Sequence, residues 1–313
     1  MREQAQEHVP VLAEEVLTWL DPQPDGVYVD CTAGAAGHAS LIAARLDGGK
    51  LLALDRDPKA VGMATARLAE FGCAKVLHRN YADLVSVVRE LNWTGVDGVL
   101  IDAGCSSMQL DRSERGFSFQ EEGPLDMRMD TSCGESAQEF LNTKTEAELA
   151  ELLRDYGDVR PAKRVAKAIL RRRDEGKLET TQDLVAAVEE ALDFVSGVPS
   201  EVRTVFQALR IAVNRELEWL EQGLLAAIEV LRPGGRLVAI AFHSTEDRVV
   251  KRVLRETSRK QRLRQADGRD RETVLPRMRI LTRRPVTPGD EELYKNRRAA
   301  SAKLRAAERL SDS

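Results

Sequence analysis

Three aspartates stand where short apolar runs stop. Asp30 closes Val27-Tyr-Val-Asp30, Asp55 closes Lys50-Leu-Leu-Ala-Leu-Asp55 and Asp102 closes Val96-Asp-Gly-Val-Leu-Ile-Asp102. After the first comes a small-residue turn, Cys31-Thr-Ala-Gly-Ala-Ala-Gly-His38. Small residues let backbone N–H groups approach a ligand closely where a helix begins. Asp55 follows Gly34 by 21 residues, and a carboxylate at a second strand end can accept hydrogen bonds from both ribose hydroxyls. Asp102 falls beside the crevice where open α/β sheets bind ligands. Alone, Gly34-Ala-Ala-Gly37 is a weak signal, since it is not G-x-G-x-x-G and also suits a plain tight turn. With two carboxylates at strand ends it points to a nucleoside cofactor. G-x-x-x-x-G-K-[ST] is absent, which argues against P-loop nucleotide hydrolysis. NAD stays open on these features.

The elements that must position these residues alternate. Pro10–Leu20 is helical by its Leu12, Val16 and Leu20 spacing, and Ser40–Leu46 is helical after the turn. Pro58 suits the first turn of a third helix, Lys75–His78 a strand and Tyr81–Leu91 a helix. Such alternation predicts a parallel sheet covered on both faces. From Leu110 to Glu201 the rhythm stops. Helical patterns follow at Glu146–Asp155 and Pro161–Arg173, then one long helix at Thr204–Leu231. The α/β rhythm returns with a turn at Pro233-Gly-Gly235, a strand at Arg236–Phe242, a helix at Glu246–Glu256 and weaker strands at Arg277–Thr282 and Ser301–Glu308. The expected organisation is one discontinuous α/β core, residues 1–109 and 204–313, with an all-helical insertion at 110–203 for substrate recognition. About seven strands, with a late pair, suit an S-adenosylmethionine methyltransferase sheet better than an NAD one.

At 313 residues, 42% hydrophobic and 31% charged, the chain can bury a sizeable core. Aromatics are 4%, which disfavours a role built on many stacking platforms. No apolar run is long enough to span a bilayer, and the N-terminus lacks the plan of a signal peptide. With Cys31, Cys73, Cys105 and Cys133 far apart and no C-x-x-C, neither a zinc site nor a disulfide framework is expected. Reduced thiols and a cytoplasmic location follow. From Lys251 onward 19 Lys and Arg face 9 Asp and Glu, a net of +10 against −4 for the whole. A basic tail on an acidic body suits a polyanionic partner or a solvated, Arg-rich surface. Lys163, Arg164, Lys167 and Arg171 share one helical face and carry the same two readings.

Several blocks go further. Leu100-Ile-Asp-Ala-Gly-Cys-Ser-Ser-Met-Gln-Leu-Asp111, Arg115-Gly-Phe-Ser-Phe119 and Gly123-Pro-Leu-Asp-Met-Arg-Met-Asp130 form a highly specific set. With His8-Val-Pro-Val-Leu12, Thr204–Glu216, Phe242-His-Ser-Thr-Glu-Asp-Arg248 and Ser301-Ala-Lys-Leu-Arg305, the chain resembles the bacterial 16S ribosomal RNA cytosine-N4 methyltransferases nearly end to end. The resemblance implies a Rossmann-like, class I sheet, S-adenosylmethionine as cofactor, and the small ribosomal subunit or its 16S rRNA as partner, with no membrane; a homodimer stays open. It places cofactor contacts at Ala36, Gly37, His38, Asp55, Tyr81, Asp102 and Gln109. Asp102 and His243 are the candidates for catalysis, one polarising N4 and the other relaying its proton. Structural roles compete: a loop-shaping His38, a core Tyr81, and for His243 a structural hydrogen bond near the next helix. Two departures stand out. Ala36-Gly37-His38-Ala39 replaces a usual Gly-Gly-His-Ser, tolerable if the backbone at Ala36 has negative φ, and Thr245 replaces a leucine. The alternatives to N4 methylation are another RNA or DNA base, and a non-catalytic, cofactor-binding ribosome-assembly factor.

Overall fold

The computed structural model describes residues 10–192, 199–264 and 270–311; His8 and Val9 of the opening block lie outside them. Strands β1 (Val27–Asp30), β2 (Lys50–Asp55), β3 (Ala74–His78) and β4 (Val96–Asp102) come from the first third of the chain. After the helical stretch follow β5 (Leu231–Ala241), a separate hairpin of β6 (Gln261–Arg264) and β7 (Asp270–Val274), β8 (Met278–Ile280) and β9 (Lys303–Arg309). Seven of them form one sheet in the order β3-β2-β1-β4-β5-β9-β8. The first five run parallel; β9 is antiparallel to β5, and β8 to β9.

Alternation along the strands explains why both faces are covered. Val29, Leu52, Leu54, Val99, Ile101, Leu237 and Ala239 enter one core. Tyr28, Leu51, Ala53, Leu100, Val238 and Ile240 enter the other. Successive side chains in a strand point to opposite faces, so a near-continuous apolar run is what a twice-covered strand needs. Helix α1 (Ala13–Leu20) precedes β1, and α2 (Gly37–Ala43), α3 (Pro58–Leu68) and α4 (Leu84–Glu90) connect the early strands. Pro58 stands in the first turn of α3, and the buried Asp57 caps that helix by accepting from Lys59 N–H at 3.0 Å.

The chain divides into two compact units, one up to Gly104 and from Leu217 onward, the other Cys105–Glu216. The second holds α5 (Ser107–Leu110), α6 (Ala137–Asn142), α7 (Glu146–Gly157), α8 (Ala162–Asp174), α9 (Thr181–Ala191) and α10 (Glu201–Val213). It has its own core, in which Leu149, Leu153, Val165, Ile169, Leu184, Val205 and Leu209 take part. It runs past residue 203 because α10 contributes its apolar face to this core. After it come α11 (Glu216–Val230), α12 (Ser244–Thr257) and α13 (Asp290–Lys295).

Three expectations need correction. The long helix expected over Thr204–Leu231 is two. Asn214 is buried at the end of α10, donates to the carbonyls of Met127 (2.7 Å) and Arg210 (2.9 Å), and accepts from Met129 N–H (2.7 Å). Arg215 then turns left-handed at φ 49°, which ends the helical run. Pro233-Gly-Gly235 does not precede a strand but lies within β5 as an irregularity, the register stepping from Val96↔Leu231 to Gly98↔Arg236. Tyr81–Asp83 is a single 3₁₀ turn, and the α-helix starts only at Leu84.

Candidate active site

The sheet reverses its winding between β1 and β4, the switch point where open α/β sheets leave a crevice outside the strand ends. Asp30 pairs in register with Ala53 and Leu100. Asp55 and Asp102 lie two residues farther along the flanking strands, so three carboxylates line one edge. Beyond β1 the chain still bridges its neighbours: Cys31 N–H donates to Leu100 O (2.9 Å) and Ala33 N–H to Leu54 O (2.8 Å). Thr32 ties the strand ends together. Its N–H donates to Asp30 Oδ1 (3.1 Å), and its Oγ1 accepts from Asp102 N–H (2.8 Å).

Asp55 is held from both sides. Gly34 N–H donates to its Oδ2 and Asp57 N–H to its Oδ1, each at 2.8 Å. The carboxylate therefore has a set direction, with lone pairs left for a ligand. Burial pushes its pKa up to about 6, against the pull of those two N–H groups. Asp30 is pushed up to about 7, mainly by burial and also by the charge of Asp55. Asp102 is raised well above the usual carboxylate range, by burial first and then by Asp30 and Glu246. Its Oδ1 is buried without a hydrogen bond among the described residues. A cluster of carboxylates that resist ionisation is matched to a cationic ligand, which would restore their charge.

This cluster makes a stability prediction. Asp30 has a folded-state pKa above its unfolded one, so protonation favours the folded chain, and that contribution is lost as pH climbs towards 7. In the ligand-free protein, Asp30→Asn keeps an acceptor for Thr32 and removes the buried charge. Its melting temperature should exceed that of the parent at pH 8, with the difference shrinking towards pH 5. Calorimetric scans across that range check it; a difference constant with pH would show that ionisation of Asp30 carries no cost.

The turn corrects another expectation. Ala36 has φ +61°, not a negative value, and its side chain is fully buried. Left-handed backbone costs an L-residue roughly 1–2 kcal/mol. A buried methyl returns about 0.8 kcal/mol, and the smaller freedom of alanine in the unfolded chain about 0.4–1 kcal/mol. The opposing effects nearly cancel, which is why alanine is tolerated where the resembled family has glycine. Gly37 begins α2 against Pro10, whose Cβ would lie 3.1 Å from an added methyl.

His38, on α2, is buried with Nε2 3.7 Å from Asp102 Oδ2. Tyr81 follows β3, just after Arg79, whose N–H donates to Asp55 O at 3.0 Å. Its ring occupies space that only a glycine at 223 on α11 leaves, since an added Cβ would meet Tyr81 Cδ2 at 2.3 Å. His243 N-caps α12. Its Nδ1 accepts from Glu246 N–H (3.3 Å) and meets Thr245 Oγ1 at 2.9 Å, while Nε2 lies 3.0 Å from Glu246 Oε1. Thr245, the residue that departs from the resembled family, thus has a partner. Acceptance at Nδ1 leaves the proton on Nε2. The imidazole is committed to capping, and a proton relay would require one of these contacts to break.

In the second unit, Gln109 is buried on α5, its Oε1 accepting from Ser106 N–H at 3.1 Å. Lys163, Arg164, Lys167 and Arg171 all face solvent on α8, opposite the buried Val165, Ala166 and Ile169. Arg171 pairs with Glu190, Arg172 with Glu190 at 2.8 Å, and Arg173 donates to the carbonyls of Leu141 and Lys144. Lys163 and Lys167 have no such pairs among the described residues. Much of the specific sequence block here is scaffolding. An added Cβ at Gly123 would lie 1.9 Å from Ser113 O, and Arg210 holds Glu216 through two hydrogen bonds of 2.8 and 2.9 Å.

Asp55 and Asp102 stand out in the sequence as site residues, whereas Asp30, Thr32 and Glu246 carry no such signal of a role there. Asp30 was visible as a strand end. Glu246 is buried, its Oε2 accepting from Phe242 N–H at 2.7 Å, and only folding brings its charge to Asp102.

The chain is similar to curated proteins along its length. It is 47% identical over 315 residues to the Ribosomal RNA small subunit methyltransferase H of Pelobacter propionicus, covering 97% of this chain and 99% of that one. The protein of the same name from Geobacter sulfurreducens is 47% identical over 313 residues, with 97% and 99% covered. Among solved structures, an rRNA methylase from Streptococcus thermophilus is matched with a TM-score of 0.42 at 11% identity, over 96% of this chain and 94% of that one. The expected Rossmann-like methyltransferase sheet is the one found here. From residue 5 to residue 310 the sequence matches the MraW methylase family, and the chain belongs to that family.

Proposed function

We propose that this protein transfers a methyl group from S-adenosylmethionine to the exocyclic N4 amine of a cytidine in 16S ribosomal RNA, in the decoding region of the small subunit, and that it works in the cytoplasm. The observation that carries the reading is the row of Asp55, Asp30 and Asp102 across the switch point, with Asp102 Oδ1 left without a hydrogen bond. The curated relatives, named for small-subunit rRNA methylation, support the substrate class.

S-adenosylmethionine, when bound, supplies a methyl already activated on a sulfonium. Asp55 fits its ribose, since a fixed carboxylate can accept from two hydroxyls. The Tyr81 ring fits the adenine, and backbone at Ala36–His38 permits close approach. The buried Asp102 carboxylate fits the ammonium of the methionine end, and the resemblance adds Gln109. The N4 lone pair of cytosine is delocalised into the ring, so positioning and acceptors that localise electron density on N4 supply the catalysis. Burial pushes the Cys31 thiol up, which makes it a poor nucleophile; none is needed, because the amine itself attacks. The helical unit is the proposed substrate-recognition element, with Lys163 and Lys167 as phosphate contacts.

The test is nucleoside analysis of 16S rRNA from cells with and without this protein, joined to radiolabelled methyl transfer in vitro. Loss of N4-methylated cytidine in the deleted strain is expected. Transfer to another base would overturn the site of methylation, and binding without transfer would leave an assembly factor.

A further inference from the structure

We propose that Tyr294, with Arg283, Arg284 and Arg297, forms a docking patch on which a single-stranded stretch of the substrate RNA stacks one base. The inference rests on reading the chain as an RNA methyltransferase. Tyr294, on α13, is 90% exposed, whereas the other exposed large hydrophobics are at most 45% exposed. The ring is not on a loose segment. Leu293 packs into the sheet core, and Glu292 Oε1 accepts from Leu12 N–H at 2.8 Å.

Several arginines of this unit hold carboxylates: Arg232 with Asp97, Arg252 with Glu221, Arg279 with Glu308 and Arg305 with Asp247. Arg283, Arg284 and Arg297 are exposed and have no carboxylate partner among the described residues. Of the acids on α13, Glu291 is neutralised by Lys295 and Glu292 is engaged by the backbone of Leu12. Asp290 alone faces solvent without such a contact.

Topology puts the patch at the right edge. β9 starts with Lys303 opposite Ala241, the last residue of β5. The segment before it, with α13 and Arg297, therefore leaves the sheet at the strand ends that carry Asp30, Asp55 and Asp102. Val286 bridges to Leu304, which brings the Arg283–Arg284 segment towards the same edge. An exposed aromatic ring at the same edge as cations that no carboxylate holds is the combination that takes single-stranded RNA, stacking a base and neutralising its phosphates.

Tyr294→Ala and Tyr294→Phe in the full chain test this, with affinity for a 16S rRNA transcript measured by filter binding and cofactor affinity by calorimetry. Tyr294→Ala should weaken RNA binding about tenfold, within the range for losing one stacked base, while cofactor affinity holds. Tyr294→Phe should bind like the parent. Arg283→Gln with Arg284→Gln should reduce the slope of log affinity against log salt by about 1.4. If the parent methylates rRNA and Tyr294→Ala binds it equally well, the patch is wrong and the function stands. If the parent transfers no methyl to rRNA, the functional reading falls and the patch with it.

Discussion

Asp55→Ala should weaken S-adenosylmethionine binding about tenfold to a hundredfold, the range of roughly 1.5–3 kcal/mol for hydrogen bonds to a charged group. Two effects act together. On the proposed reading the ribose hydroxyls would lose their acceptor, and the N–H groups of Gly34 and Asp57 lose theirs. S-adenosylhomocysteine, which shares the ribose but lacks the sulfonium charge, should lose affinity by the same factor. Calorimetry with both ligands separates this from a charge effect. Unchanged affinity for both would remove Asp55 from the cofactor site, and a loss confined to the sulfonium ligand would recast it as a counter-charge.

Asp102→Asn keeps size and removes the charge. On the proposed reading the parent should bind the cofactor's cation best when Asp102 is ionised, and the pKa of that carboxyl is raised by burial and by Asp30 and Glu246. Affinity should therefore rise with pH as that carboxyl loses its proton, and Asp102→Asn should flatten the rise. At neutral pH and above, affinity should fall about tenfold or more, while saturating cofactor recovers most of the single-turnover rate. Normal affinity with a large single-turnover defect would make Asp102 the group that polarises N4, because the lost interaction would then belong to the transition state. In the same assay, His243→Ala should leave the single-turnover rate unchanged across pH, in keeping with its place as the α12 cap. A pH-dependent defect would restore the relay.

Strands were legible because their information is local. β1, β2 and β4 begin and end where the apolar runs do, and the carboxylates that stop those runs are the ones the sheet lines up. Helix ends were less legible. Nothing within the Thr204–Leu231 segment marks Arg215 as a break; Asn214 breaks the helix by bonding the backbone of Met127 and Met129, about 85 residues earlier. Ala36 misled for a related reason. Composition says that alanine avoids positive φ, but the burial that offsets the strain is a property of the folded surroundings.

The run of small residues, the spacing from Gly34 to Asp55 and the specific blocks were enough to determine the sheet class, the nucleoside cofactor and the family, since each depends on residues close in sequence. The ionisation of the carboxylates was decided only by tertiary structure. Asp30, Asp55 and Asp102 belong to separate segments, and each would titrate normally in an unfolded chain. Packing strand ends side by side removes water from all three and sets their charges against one another, and electrostatic energy depends on distance and solvation, which no spacing along the chain specifies.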